Sequence, residues 1–219
     1  MDGKHEALLG IDNCVEALSC YRSNTNAGVM CKTLPANIDW QLEDTHTHFS
    51  PPCTSFSRAR CQSATDEEKE TGVEHLRWCL ETMAKTDFAS CSLEIVSVPA
   101  TRRVLDEFVR AHPTRLAYHA FECADFGVAQ FRRRIICGRP ILIERLKAAP
   151  IQERVSVASV FGDALPSPFL KNTTVSRTSG SARCVRTVEE PAFTVCGARV
   201  RGNNRPSNLL SESTKVPKI

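Results

Sequence analysis

The segment Ser50–Arg60, "SPPCTSFSRAR", places one cysteine directly behind two prolines. Proline fixes its own φ and disfavours the helical region for the residue before it, so this loop should be stiff and extended. Pro51 and Pro52 would therefore hold the Cys53 thiol at a fixed point, as a reactive thiol requires. The competing interpretation is that Cys53 is a small buried hydrophobic side chain, like most cysteines.

Two later segments carry ionisable side chains of the kind that act on a substrate. "SLEIVSV" (Ser92–Val98) has one carboxylate, Glu94, within an apolar strand-like run. "ECADFGVAQFRRRIICG" (Glu122–Gly138) contains Arg132 and Arg134. Simpler roles exist for each of them. Glu94 could pair with a surface cation, and the arginines could form a solvated basic edge or bind phosphate.

The composition is that of an ordinary globular protein. The chain has 219 residues, 42% of them hydrophobic and 24% charged, and a net charge of +3. This length permits one substantial core, and the slight basic excess permits a nucleic-acid partner without requiring one. No apolar run is long enough to span a membrane, and the start "MDGKHEALLG" does not resemble a secretion signal.

Eleven cysteines occur without a C-x-x-C pair, and no histidine cluster has zinc-ligand spacing. We therefore expect reduced thiols, an intracellular location and no structural metal. The six histidines show no paired spacing with an acid, and we assign them no role.

Strand and helix patterns alternate along the chain. We predict strands at Glu6–Ile11, Thr45–Ser50, Ser90–Val98, Arg115–Phe121 and Arg133–Gly138, and helices at Cys14–Asn24, Asp66–Lys85, Ala100–His112 and Ile141–Ala149. This alternation predicts an α/β fold in which βαβ units build a sheet with helices on its faces. The working loops of such a sheet lie at the carboxyl ends of its strands.

Two of these helices have clear apolar faces. The residues predicted to face the core are Val73, Leu76, Cys79, Leu80 and Met83 in the first, and Val104, Leu105, Phe108 and Val109 in the second. From about Pro166 the sequence becomes rich in Ser, Thr, Arg and Gly, and only Phe193–Val200 resembles a strand. The final residues, 204–219, have the composition of a disordered tail.

The three segments around Cys53, Glu94 and Arg132, taken in order, resemble the motifs of the DNA (cytosine-5) methyltransferases. These motifs are a Pro-Cys nucleophile loop, a Glu-Asn-Val strand and an "ADYGVPQxRxR" segment, of which "ADFGVAQFRRR" is the most specific match. The resemblance extends over roughly Leu9–Arg201 and includes "RTVEEPAFTV", which is similar to the family's "PxxTV" stretch. It implies a Rossmann-like class I S-adenosylmethionine-dependent methyltransferase core.

The resemblance also implies roles for individual residues. Cys53 would add as a thiolate to carbon-6 of cytosine, so that carbon-5 can attack a sulfonium methyl group. Glu94 would support ring nitrogen 3. Arg134, assisted by Arg132, would hold the base edge and help to keep the thiol ionised. The target base would be flipped out of its duplex.

The resemblance to the cofactor-binding motifs is incomplete. Asp12 occupies the place of the family acid that binds the cofactor ribose, and Pro52 would lie against the cofactor. The family's opening "FxGxG" loop and closing "GNxVP" signature are not present in the sequence, and Thr54, Ile95 and Ala129 depart from its common residues. We therefore expect an incomplete core at residues 1–163, a partial target-recognition region at 164–203 and a tail at 204–219.

The expected function is S-adenosylmethionine-dependent methylation of cytosine in DNA, with a second polypeptide as a candidate supplier of the missing pocket elements. Two alternatives stay open. One is a non-catalytic remnant or DNA-binding subunit that cannot bind the cofactor, and the other is a related enzyme that acts on RNA.

Overall fold

The chain is an α/β protein, which confirms the predicted fold class. A computed structural model describes residues 6–38, 45–53, 56, 65–162, 169–171 and 185–192. The chain divides into two compact units, Met1–Glu43 and Asp44–Ile219. The predicted boundary at residue 163, the predicted strand Phe193–Val200 and the predicted tail lie outside the described residues.

The first unit is a strand–helix–strand motif. Strand β1 (Leu9–Asp12) leads into helix α1 (Val15–Thr25), and the chain returns as β2 (Gly28–Cys31), parallel to β1. The helix ends at Asn26, whose φ of 57° is left-handed, a conformation that asparagine tolerates better than most residues. Strand β1 starts three residues later and ends one residue later than the strand predicted at Glu6–Ile11.

The second unit contains most of the secondary structure. Its strands are β3 (His46–Phe49), β4 (Ser90–Val96), β5 (Ala117–Glu122), β6 (Arg133–Gly138), β7 (Phe169–Lys171) and β8 (Val185–Thr187). Its helices are α2 (Asp66–Lys85), α3 (Pro99–Ala111), α4 (Pro140–Lys147) and α5 (Val157–Phe161), with a 3₁₀ turn at Cys123–Phe126. Within the described part of the chain, no helix is both long and apolar enough to cross a membrane.

The main sheet of this unit has the strand order β3-β4-β6-β5. Strands β3 and β4 are parallel and joined through α2, so they form a Rossmann-like βαβ unit like the one in the first unit. Strand β6 is antiparallel to both of its neighbours. The ten residues between β5 and β6 are too few for a helical crossover, which accounts for this antiparallel pair.

One face of the main sheet is buried under helices α2 and α3. On this face Leu93 pairs with Cys137 and Ile95 pairs with Ile135, and all four residues are at most 1% exposed. The Phe49 ring meets the edges of other aromatic rings on the same face, with its centroid 6.4 Å from that of Trp78.

The predicted core faces of these helices are largely confirmed. Leu76, Cys79, Leu80 and Met83 of α2 and Val104, Leu105 and Phe108 of α3 are buried. Val73 and Val109 are only partly buried. Because side chains alternate along a strand, the neighbours of the core residues in β3 and β4 lie on the opposite face of the sheet.

Candidate active site

One edge of the main sheet collects the predicted catalytic segments. The carboxyl ends of the parallel strands β3 and β4 lie at this edge. Since β6 runs antiparallel to β4 and β5, its amino end and the carboxyl end of β5 lie there too. We call this the site edge. It carries the Cys53 loop after β3, Glu94 near the end of β4, and Arg132 and Arg134 at the start of β6.

Glu94 and Arg134 form a close ion pair at the site edge. Nε of Arg134 lies 2.6 Å from Oε1 of Glu94, and a guanidinium nitrogen of Arg132 lies 3.8 Å from the same oxygen. The side chains of Glu94 and Arg134 are 25% and 13% exposed. Two of the three residues that the motifs predicted to converge are thus in contact, with Arg132 close by.

The carboxylate of Glu94 is held on its buried side by Arg134 and is 25% exposed. Its Oε1 atom is buried and accepts no well-directed hydrogen bond from the described residues, although Arg134 offsets its charge. The ion pair therefore fixes the position of a partly exposed carboxylate at the site edge.

The Cys53 loop leaves the sheet beside Glu94. Since His48 pairs with Ser92 and Phe49 with Leu93 in parallel register, Ser50 follows next to Glu94. Pro51 is buried, Pro52 is exposed and Cys53 is half-buried. The Cys53 carbonyl accepts a hydrogen bond from the buried Phe56 amide at 3.1 Å, which closes a turn.

No described hydrogen bond or ion pair joins the Cys53 side chain to Glu94 or Arg134. The sheet topology alone places the Cys53 loop at their edge. The predicted rigid mount is consistent with the anchoring of this loop by one buried proline and one buried aromatic ring.

Cys123 is a second thiol at the site edge that the sequence patterns did not single out. It follows β5 directly, and its backbone amide donates to the Arg132 carbonyl at 3.1 Å. Burial raises the pKa of this thiol, while the charges of Arg132 and Arg134 act to lower it and those of Glu122 and Glu94 oppose them. The raised pKa makes Cys123 a weaker candidate nucleophile, because the thiolate is the reactive form.

The segment that carries Arg132 is clamped on both sides. Nε and Nη2 of Arg154 lie 2.9 and 2.8 Å from Oδ1 of Asp125, and the Arg154 guanidinium stacks 5.1 Å from the Phe131 ring centroid. On the other side, the Phe131 amide donates to the Ala192 carbonyl at 2.8 Å, and the Ala192 amide donates to Ala129 at 2.9 Å. The stretch similar to the family's "PxxTV" thus supports the arginine segment through its backbone.

Gly127 is required within this clamped segment. Its φ of 79° lies in the left-handed region, and a Cβ atom there would collide with the side chain of Gln152. Glycine is the residue that adopts this conformation without strain.

The two predicted cofactor residues lie in different units. Asp12 is exposed at the carboxyl end of β1, and its Oδ1 atom accepts the Cys14 amide at 2.8 Å. Pro52 is exposed beside Cys53 in the second unit. A carboxylate with a free second oxygen suits a ribose hydroxyl, and an exposed proline ring suits an apolar ligand surface.

Histidines and serines form a further cluster on the polar face of β3 and β4. His46 and His48 alternate on β3 opposite Ser90 and Ser92, and three hydrogen bonds of 2.8 to 2.9 Å join the four side chains. In the sequence, the two histidines are two positions apart, and so are the two serines. Only the strand register shows that the histidines face the serines. Among the described residues, no group of three or more His, Cys, Asp or Glu side chains is placed to share a metal ion.

Comparison with known proteins gives only distant structural similarity. No protein-family model and no curated protein matches the chain. A solved structure described as a DNA modification methyltransferase encoded within an E. coli prophage is 12% identical, with a TM-score of 0.46 over 71% of this chain and 47% of that one. A mutant of Spodoptera frugiperda DNMT2 is 18% identical, with a TM-score of 0.45 over 70% and 46%.

The Entamoeba histolytica methyltransferase EhMeth is 16% identical to this chain, with a TM-score of 0.41 over 60% of this chain and 44% of that one. The chain therefore spans just under half of the length of each of these structures. Similarities at this level do not determine its function.

Proposed function

We propose that the second unit carries the catalytic residues of a cytosine C5-methyltransferase that acts on DNA. The observation that carries the proposal is the Glu94 carboxylate, held at its buried Oε1 by Nε of Arg134 at 2.6 Å, on the edge from which the Cys53 loop emerges. A thiol loop, a carboxylate and guanidinium groups at one sheet edge are the groups that this reaction needs. Their order along the chain matches the motif series of the family.

The chemistry assigned to each residue is what the resemblance to the family implies. The Cys53 thiolate adds to carbon-6 of a flipped cytosine, which makes carbon-5 nucleophilic. Glu94 supports ring nitrogen 3 by proton donation or hydrogen bonding from its carboxyl group as charge develops on the ring. Arg134 orients the carboxylate, and Arg132, with 37% of its side chain exposed, is available to the base carbonyl or a phosphate.

S-adenosylmethionine supplies the methyl group when bound. In this chain Asp12 would hold its ribose, and Pro52 would lie against it next to the nucleophile. The chemistry of both residues fits this ligand, and both are exposed. A second polypeptide that supplies a glycine-rich backbone cradle belongs to the proposal.

Covalent trapping tests the proposed reaction. The full chain is incubated with S-adenosylmethionine and a duplex that contains 5-fluorocytosine, because fluorine blocks the final elimination and leaves the enzyme attached to the base. We expect an adduct that survives denaturing electrophoresis. Cys53→Ser should abolish it, whereas Cys20→Ser, which alters an exposed thiol of α1, should not.

The same assay separates the alternatives. Adduct formation on a 5-fluorocytosine RNA but not on DNA would show that the substrate is RNA. Titration calorimetry with S-adenosylhomocysteine identifies a non-catalytic remnant, for which no saturable binding is expected. Saturable binding without an adduct on either polymer would show that the proposed chemistry is wrong.

A further inference from the structure

A continuous row of hydrogen bonds runs along the polar face of β3 and β4 toward the site edge. Oγ of Ser90 lies 2.9 Å from Nδ1 of His46, whose Nε2 atom lies 2.8 Å from Oγ of Ser92. Oγ of Ser92 also lies 2.8 Å from Nδ1 of His48. We call these four residues the polar row. Along β4, Glu94 is the next residue on this face after Ser92.

The Ser92 hydroxyl gives the polar row two equivalent states. It has one proton and two histidine neighbours, so it donates to one ring and accepts from the other. In one state His48 donates to Ser92 and Ser92 donates to His46. In the other, every donor and acceptor is reversed with the heavy atoms in place. Because Ser92 is only 8% exposed, water does not readily replace either histidine as its partner.

The His48 end of the polar row lies near the charged groups of the site. Partial burial lowers the pKa of His48, and the negative charge of Glu94 acts in the opposite direction. By strand register, the other ionisable groups on this sheet face are His46, Arg134 and His119. His48 is therefore predominantly neutral near pH 7, as a group that both accepts and donates a proton must be.

The proposed reaction releases one proton for each methyl group transferred, because a carbon–carbon bond replaces the carbon-5 hydrogen. We infer that the polar row carries this proton from the site edge to solvent at His46 and Ser90. This inference rests on the proposed function. It assigns His48, Ser92 and His46 to a step that none of the recognised motifs supplies.

The proton balance of the step is as follows. The electrons of the carbon-5–hydrogen bond restore the ring double bond and expel the Cys53 thiolate from carbon-6. The released proton passes through a water molecule to Nε2 of His48, which makes no hydrogen bond within the described residues. The Nδ1 proton of His48 moves to Ser92, the Ser92 proton to Nε2 of His46, and the Nδ1 proton of His46 to Ser90 and then to water. No member of the row retains a charge.

The inference is tested by comparing two rates, of which only one depends on release of this proton. Adduct formation on 5-fluorocytosine stops before any proton leaves carbon-5, whereas turnover on cytosine requires it. For Ser92→Ala and for His46→Gln we expect turnover to fall about ten-fold or more, with the adduct rate within about two-fold of the parent. Ser92→Thr keeps the hydroxyl and should restore turnover, and Ser97→Ala is the matched control outside the row.

The outcomes distinguish failure of the inference from failure of the proposed function. If the parent chain binds S-adenosylhomocysteine but forms no adduct, the proposed function is wrong and the proton path falls with it. If the parent forms an adduct but both variants turn over normally, the methyltransferase proposal stands and the proton path is overturned. Equal slowing of adduct formation and turnover would also overturn it, because the substitutions would then act before proton release.

Discussion

The pair formed by Glu94 and Arg134 has a structural role and a proposed chemical role, and one substitution can separate them. Glu94→Gln keeps the shape of the side chain and removes the charge that faces a guanidinium only 13% exposed. We expect a loss of about 1 to 3 kcal/mol in the free energy of unfolding, because Arg134 loses its charged partner. We also expect the rate of 5-fluorocytosine adduct formation to fall about 100-fold or more.

Chemical denaturation and single-turnover trapping measure these two effects on the same preparation. Glu144→Gln is the matched control, since Glu144 is 66% exposed and pairs only with Lys147 among the described residues. Both quantities should stay at parental values in that variant. If Glu94→Gln forms the adduct at the parental rate, Glu94 takes no part in the reaction and has only a structural role.

At the scale of residues, the sequence predicted the candidate site residues that lie within motifs. It did not predict contacts that depend on the register between strands. The resemblance implied that Glu94 and Arg134 act on the same base, and the structure places the two side chains in contact. The polar row could not be predicted in the same way, because His48 and Ser92 are 44 positions apart. Nothing local in the sequence specifies which residue of β4 faces which residue of β3.

At the scale of elements, the segment from the 3₁₀ turn to β6 is held by contacts outside the motif itself. Arg154→Gln would release both Asp125 and the Phe131 ring, on which the position of Arg132 depends. Arg154 is 52% exposed, so we expect less than about 1 kcal/mol of lost stability. Misplacement of Arg132 and Arg134, the arginines proposed to bind the substrate, should nevertheless lower kcat/KM about ten-fold to 100-fold.

Steady-state kinetics and thermal unfolding of the same variant test this separation. Arg145→Gln changes an exposed arginine of α4 and should alter neither quantity. Arg154→Lys keeps the charge but not the planar fork that stacks on Phe131, so only partial activity is expected. Full activity in Arg154→Gln would show that the clamp does not position the arginines.

The strand and helix pattern was predictable at this scale, and its pairing was less so. Helix α2 was predicted with the bounds it has, because its first turn is acidic and its apolar spacing is regular. Thr65 and Glu68 add a capping box that fixes its start. The antiparallel course of β6 was not predicted, since two apolar runs such as Ala117–Glu122 and Arg133–Gly138 look alike in either direction. Only the short connection between them carries that information.

At the scale of the whole molecule, the cysteines divide by environment. Cys14, Cys20 and Cys31 are exposed, Cys53 and Cys123 are half-buried at the site edge, and Cys79, Cys91 and Cys137 are buried. All eight cysteines within the described residues are free thiols. The simple interpretation of cysteine as a small hydrophobic residue therefore holds for the buried three, and it does not describe Cys53.

This division predicts that the fold is destabilised by alkali. Burial raises the pKa of Cys79 and of Cys137 from 9.0 to about 12. Above pH 9 the unfolded chain loses these two protons while the folded chain retains them, so the unfolded state binds fewer protons and stability falls as pH rises. Each thiol should contribute about 1.4 kcal/mol of lost stability per pH unit between pH 9 and pH 12.

Urea unfolding at pH 8, 9, 10 and 11 measures the slope. Cys137→Ala should be less steep than the parent relative to its own value at pH 8, and Cys20→Ala should match the parent. A free energy of unfolding that stays constant from pH 9 to 11 would mean that these thiols ionise as readily in the folded chain as in the unfolded one.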